Sequence, residues 1–307
     1  MYMTSMKLWK AMLAFLFILL PSALLAQGLS PILSTDDLAK NLKNSGLVIV
    51  DIRKVEDYKA GHIPGAIGVF YNNWAPGKGG MQNEIPPDDD LIDLLSANGI
   101  QPDSNVVVYG TTATGADRVN VTRVAWTLKY AGVQKVSVLS GGFDKWMNEK
   151  REVSAEASKL SAKSYKGTFN RNVVTKKDYI KNQIGKAIIV DVREVPFYSG
   201  QQKLAFVAKG GHIKGAVNLP SGQIFAKDTG ADGKEIWTYK DLNTLKTMAL
   251  PVVGNDLSKE IIVYCDSGRV ASAWWFILSE ALGYKDVKNY DGSMEEWTKD
   301  DTAPVEP

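Results

Sequence analysis

The chain has 307 residues, 45% of them hydrophobic and 23% charged, a balance that fits a folded protein of about two domains and excludes a disordered or fibrous one. Lysine and arginine number 36 against 34 aspartates and glutamates, so the net charge of +2 leaves no basic stripe for nucleic acid or anionic lipid. A lone cysteine, Cys265, rules out an internal disulfide.

In chain order, the first segment has the form of a secretion signal. Lys7 and Lys10 precede an apolar run over residues 11–20, and Pro21-Ser-Ala-Leu-Leu-Ala26 supplies a cleavage region. The run is too short to favour a stable span. Residues 1–26 are therefore expected to be removed, giving a periplasmic or secreted monomer with no stable membrane association. Removal takes away two lysines and no acid, so the net charge falls from +2 to 0. An unpaired thiol in an exported protein is either buried or in use.

Residues 29–150 read as one α/β domain. The pattern predicts helices over 37–44, 88–97 and 118–130, and strands over 47–52, 67–70, 106–109 and 136–139. Strands without polar alternation are buried on both faces, which calls for a parallel sheet covered by helices. Asp88-Asp-Asp90 reads as a solvated helix start with favourable dipole placement. Residues 151–170, rich in Lys, Ser and Ala with no apolar period, read as a linker.

Residues 171–303 then repeat the first domain. Val48-Ile-Val-Asp51-Ile-Arg53 returns as Ile188-Ile-Val-Asp191-Val-Arg193, and Gly61-His62-Ile-Pro-Gly65-Ala66 as Gly211-His212-Ile-Lys-Gly215-Ala216. Val106-Val-Val-Tyr109 matches Ile261-Ile-Val-Tyr264, and Gly141-Gly-Phe-Asp-Lys-Trp146 matches Gly292-Ser-Met-Glu-Glu-Trp297. The halves differ where chemistry is expected. Gly110 stands opposite Cys265, and the loop it opens is four residues longer; the second half instead inserts about ten residues around 201–209.

Cys265 falls where the apolar run ends and a helical pattern begins, in Tyr264-Cys265-Asp266-Ser267-Gly268-Arg269-Val270-Ala271-Ser272. A thiol there sits among unpaired N–H groups at a positive dipole end, with Arg269 adding charge. That setting favours the nucleophilic thiolate; the competing reading is a small buried hydrophobe. Successive N–H groups at a helix start form an anion nest able to hold a thiolate and then a persulfide. Gly268 permits the tight curl, and Arg269 offers paired donors to an oxyanion.

On the paired Asp-x-Arg strands, the paired Gly-His-Ile turns and the cysteine loop, the chain resembles the rhodanese family, specifically its tandem-domain sulfurtransferases with an inactive first and an active second domain. The resemblance implies two doubly wound α/β domains, each with a five-stranded parallel sheet flanked by helices. It implies Cys265 as the catalytic nucleophile and Asp266, Ser267, Gly268, Arg269 and Val270 as the substrate-binding loop. A small donor such as thiosulfate would give up its sulfane sulfur, a thiol or cyanide would accept it, and neither a metal nor an organic cofactor is required. Two departures are visible. The second substrate-binding arginine of many tandem enzymes is replaced by Phe197, and the loop lacks the Cys-Gly-Ser/Ala-Gly-Val-Thr form of 3-mercaptopyruvate enzymes. A 3-mercaptopyruvate enzyme and a sulfur or selenium carrier or sensing module without fast turnover remain the alternatives.

Other candidate residues have simpler readings. His62 and His212 recur in both halves, although only one half has a cysteine, so they read as structural turn residues. Arg53 and Arg193 recur likewise; Arg193 is either a strand-end ion pair or a border of the active loop. Gly110 and Gly115 have P-loop spacing, but Ala116-Asp117 stands where Lys-Ser/Thr is needed. A cysteine phosphatase would place arginine six positions after the cysteine, where this chain has Ala271. Trp274 and Trp275 read as packing behind the loop. The signal reading makes the mature chain begin at Gln27; N-terminal sequencing of protein from its native host checks it, and an intact Met1 in the membrane fraction would make the segment an anchor.

Overall fold

The structure, a computed structural model, describes residues 28–307, so the signal segment lies outside the described residues. In the first domain the order is β1 (Ile32–Leu33), α1 (Thr35–Asn41), β2 (Leu47–Asp51), α2 (Val55–Ala60), β3 (Ile67–Gly68), α3 (Asp88–Ala97), β4 (Asn105–Tyr109), α4 (Gly115–Ala131), β5 (Lys135–Leu139) and α5 (Gly142–Asn148). The sheet order is β1-β5-β4-β2-β3, all parallel. Val106, Val107, Val108 and Tyr109 of the central β4 are all buried, as a strand covered on both faces requires.

The second domain runs β6 (Val174–Thr175), α6 (Lys177–Gln183), β7 (Ile188–Asp191), α7 (Val195–Tyr198), β8 (His212–Ile213), β9 (Val217–Asn218), β10 (Phe225–Thr229), β11 (Glu235–Tyr239), α8 (Leu242–Val253), β12 (Glu260–Tyr264), α9 (Ala271–Phe276), β13 (Asp286–Tyr290), α10 (Ser293–Trp297) and β14 (Val305–Glu306). Its parallel sheet, β6-β13-β12-β7-β9, has the same topology. One addition breaks the likeness: β10 and β11 form an antiparallel hairpin. The antiparallel pairing of β14 on β8 extends a bridge that the first domain makes between His62 and Ser154.

Several boundaries move from the predicted ones. The helix expected over 37–44 is Thr35–Asn41, because Ser34 caps it by accepting the Asp37 N–H at 3.1 Å. The helix expected over 118–130 starts at Gly115, where Thr114 and Asp117 form a capping box. Residues 151–170 are a strap tied to the first domain. His62 and Ser154 exchange backbone hydrogen bonds at 2.9 Å, Lys163 N–H donates to Ser96 at 2.9 Å, and buried Tyr165 donates to the Ala131 carbonyl at 2.7 Å.

The repeated polar motifs hold each sheet to its connection. Arg53 binds both Asp51 oxygens and the Gly61 carbonyl, and Arg193 treats Asp191 and Gly211 in the same way. His62 stacks on Tyr58 and His212 on Tyr198, each with ring centroids 3.9 Å apart. Their Nδ1 atoms lie 2.8 and 3.0 Å from the Tyr58 and Tyr198 carbonyls, so both histidines are turn residues.

The two domains pack face to face through α4 and α9. Thr122 and Ser272 hydroxyls meet at 3.1 Å, and Trp126 of the first domain donates to the Val173 carbonyl at 2.9 Å. One apolar core runs across the junction, from Val108 and Trp126 to Trp274 and Val263. α4 and α9 are the helices that follow the two domains' critical loops, so this packing puts both loops at the interface.

Candidate active site

Cys265 follows the last residue of β12 and is 1% exposed. The chain then curls through Asp266, Ser267 and Gly268 into α9. Gly268 has φ +69°, and a β-carbon there would stand 2.5 Å from the Asp291 carbonyl oxygen and Oδ1, so only glycine fits. The N–H groups of Ala271, Ser267 and Val270 reach the sulfur and stabilise its charged form. They do not prevail: burial, and next the carboxylate of Asp266, push the thiol above its ordinary value. The expectation of a favoured thiolate is therefore corrected. The loop's N–H groups act as expected, but burial outweighs them, and the nearest charge on the thiol is the carboxylate of Asp266 rather than the Arg269 guanidinium.

The loop is held from behind by Ser293, which opens α10. Its hydroxyl accepts the N–H groups of Cys265 at 3.1 Å and Gly268 at 3.0 Å, donates to the Tyr290 carbonyl at 2.7 Å, and lies 4.0 Å from the sulfur. Ser293 takes φ +47°, a left-handed backbone that costs a residue with a β-carbon about 1–2 kcal/mol. The first domain puts Gly142 at this position. That Gly-to-Ser difference between the repeats was the one sequence signal for Ser293. The Cys265 and Asp266 carbonyls accept from Met294 and Glu295, and Asn289 donates to the Gly268 carbonyl at 3.0 Å.

Asp266 turns away from the sulfur to meet Arg193 Nη1 at 3.1 Å. Arg193 is 4% exposed and also engaged with Asp191 and Gly211, so it positions the loop from inside the sheet. Arg193 is therefore a strand-end ion pair that reaches the loop through Asp266. Ser267 is buried and accepts from Asn83 Nδ2 of the first domain at 3.1 Å. Val270 packs on the core, as do Trp274 and Trp275. Arg269 keeps a buried Nε with no partner and lies close to the Tyr71 hydroxyl, which donates to Asn83 at 2.9 Å.

Tyr71 and Asn83 belong to a segment of the first domain that crosses the domain junction. Besides Asn83, it brings the Gln82 N–H to Glu295 at 3.1 Å and the Ile85 N–H to Asp291 at 2.8 Å. The second domain reciprocates with the β10–β11 hairpin. Trp237 covers the loop after β4, with the Arg118 guanidinium 3.6 Å from its ring centre, and a cavity of only about 10 Å³ remains there. That loop is already filled. The Asp144 carboxylate accepts from the Thr112 N–H and from the Thr111 and Thr112 hydroxyls at 2.8 and 2.9 Å. A β-carbon on Gly142 would collide with the Gly110 carbonyl, so the backbones are in close contact. The first domain's loop thus carries its own anion, and the second leaves that place to sulfur.

Two segments of the chain, residues 34–149 and 175–300, match the rhodanese-like domain. The chain belongs to the rhodanese family. A thiosulfate sulfurtransferase of Azotobacter vinelandii is 30% identical over 272 residues, covering 88% of this rhodanese and 94% of that protein. A sulfur carrier protein of Thermus thermophilus is also 30% identical, over 87% of this chain and 93% of its own. Among solved structures, a 3-mercaptopyruvate sulfurtransferase from Escherichia coli superposes with a TM-score of 0.70 over 86% of this chain and 98% of its own, at 24% identity, which establishes the shared tandem fold.

Two outcomes follow from the loop geometry. Alkylation of Cys265 needs thiolate, so its rate should rise with pH to a midpoint above that of an ordinary thiol. Asp266→Asn should lower that midpoint by removing the adjacent negative charge; a midpoint that does not move would mean the carboxylate leaves the sulfur unaffected. Ser293→Ala should lower stability by about 1–3 kcal/mol in thermal unfolding, since two buried amides lose their acceptor. Ser293→Gly should lose about 1 kcal/mol less, because glycine accepts the left-handed backbone without strain.

Proposed function

We propose that this rhodanese moves sulfane sulfur from thiosulfate, or a similar anionic donor, to a thiol or cyanide through a persulfide on Cys265. The observation that carries the reading is the convergence of the Ser267, Val270 and Ala271 N–H groups on the sulfur. Such a nest holds one negatively charged sulfur and is too tight for a tetrahedral phosphate. Its counterpart in the other domain is occupied by Asp144, which supports a single working site.

The chemistry balances without a further reactant. Deprotonated Cys265 attacks the sulfane sulfur of thiosulfate; a Cys–S–S bond forms, the bond to the sulfonate breaks, and sulfite leaves with its electron pair. Cyanide or a thiolate then attacks the outer sulfur, and Cys265 leaves as thiolate. Arg269, beside Tyr71, keeps a buried Nε without a partner, and its guanidinium is suited to the sulfonate oxygens. Asp266, Ser267, Gly268 and Val270 supply the backbone of the cradle, and Arg193 holds Asp266 in place.

The likeness to a sulfur carrier protein, together with the deep burial of Cys265, favours one second reading: sulfur is accepted here and handed to a protein partner with slow turnover on small acceptors. The signal segment supports action outside the cytoplasm.

Thiosulfate:cyanide turnover with mass spectrometry of the same samples tests both readings. The wild type should gain one sulfur on Cys265; Cys265→Ser should load nothing and stay folded. Loading without turnover would favour the carrier. Arg269→Ala should raise the thiosulfate KM about ten- to a hundredfold, the loss of one charge-assisted contact. Arg269→Lys should recover part of this, since an ammonium keeps the charge without the fork. Gly110→Cys should load no sulfur, because Asp144 holds that loop; loading at position 110 would sink the single-site reading.

A further inference from the structure

The inactive domain sends one fully buried charge to the back of the active loop. Arg123, on α4, has 0% exposure, and its guanidinium is ion-paired with Asp291 of the second domain. Asp291 is the residue against which Gly268 packs, and its Oδ2 accepts the Ile85 N–H. The pair is lopsided. Arg123 Nε and Nη2 are buried with no partner, so donor capacity on the arginine exceeds what Asp291 uses.

The surroundings are rich in acid. Glu84 faces the pair from the first domain and Glu295 and Glu296 from α10; burial, and next Asp291, push the Glu84 carboxyl up to about 7, while Arg123 acts against them. Glu295 has Lys299 at 3.6 Å. On the other side, the Tyr71 hydroxyl lies within the fields of Arg123, Arg269 and Asp291 together. Tyr71 adjoins Arg269, where a donor's charged end would sit, so Arg123 and Asp291 act electrostatically on the same space.

An anion-binding loop backed by an unneutralised aspartate would repel its own ligand. We infer that Arg123 is a donor-positioning residue for the Cys265 site, cancelling the charge of Asp291 behind Gly268 so that the loop accepts a doubly charged donor. The inference rests on the sulfurtransferase reading. It gives the domain without a cysteine a part in substrate choice.

A charge acting through space affects a ligand in proportion to the ligand's own charge. Thiosulfate is a dianion. Methanethiosulfonate is a monoanion that offers the same sulfane sulfur and leaves as the sulfinate. Steady-state kinetics of the full mature protein with each donor and cyanide separates charge from shape. Arg123→Met should raise the thiosulfate KM roughly tenfold and the methanethiosulfonate KM only about threefold, with kcat nearly unchanged. Arg123→Lys should restore most of the loss. Asp291→Asn should act oppositely and lower the thiosulfate KM more than the other.

Equal changes for both donors, or a fall in kcat alone, would reduce Arg123 to a structural interface residue and overturn the inference. If Arg123→Met does not fold, Asp291→Asn decides: a thiosulfate KM that is unchanged or higher overturns it. A wild-type protein that takes sulfur from neither donor would instead defeat the sulfurtransferase reading, and this inference with it.

Discussion

Backbone N–H groups at the carboxyl end of each central strand need a negative partner, and the molecule satisfies that need in two ways. A buried N–H left unpaired costs about 1–3 kcal/mol, so a curled loop at a helix start cannot stand empty at no cost. In the first domain Asp144 of α5 supplies a carboxylate to Thr112. In the second domain the matching residue is Glu295, whose buried carboxylate reaches across the junction to the Gln82 N–H instead. Ser293 then pins the loop from behind through the amides of Cys265 and Gly268, leaving those of Ser267, Val270 and Ala271 to the sulfur. One domain closes its nest with an internal anion, and the other keeps it for chemistry.

That division explains why the duplication is asymmetric yet inseparable. Each domain covers the other's loop: the segment with Asn83 lies on Ser267, and the hairpin with Trp237 lies on Arg118. Arg118 and Arg269 open the two corresponding helices, but the first is stacked beneath tryptophan while the second retains an unpaired Nε. The continuous core between α4 and α9 buries Cys265, and this burial raises the thiol pKa. A buried and largely protonated thiol reacts slowly with oxidants, so the packing that depresses its resting reactivity also protects it.

Much of this was legible in the sequence because it is carried by local patterns. Apolar strands, the paired Asp-x-Arg and Gly-His-Ile segments and the cysteine loop each sit within a few consecutive residues, and they gave the tandem α/β architecture and the half that carries the cysteine. What escaped depends on distant parts of the chain. β1 and β6 have two residues each and exist through pairing with β5 and β13. The hairpin of β10 and β11 has no counterpart strand pair in the first half to reveal it. Asn83 and Arg123 act across the domain junction, and no spacing rule connects them to position 265. The thiol's electrostatics were misread for two reasons: burial, the larger effect, belongs to the assembled pair, and the local charge that counts is that of Asp266 rather than Arg269.

On the proposed persulfide route, the loop is better matched to a loaded sulfur than to a bare thiolate. On Cys265 the charge sits against the strand end, where desolvation is greatest and Asp266 is adjacent. Adding one sulfur would move the charge about 2 Å, the length of a sulfur–sulfur bond, away from Cys265 Sγ. Desolvation and the repulsion from Asp266 both weaken with that displacement, while the cradle's amides remain within reach. The strained backbone of Ser293 fits this view, since its hydroxyl fixes the amides of Cys265 and Gly268 so that the loop does not collapse onto the resting thiol. The geometry thus gives sulfur capture a driving force of its own, and release then depends on an acceptor able to reach the outer sulfur.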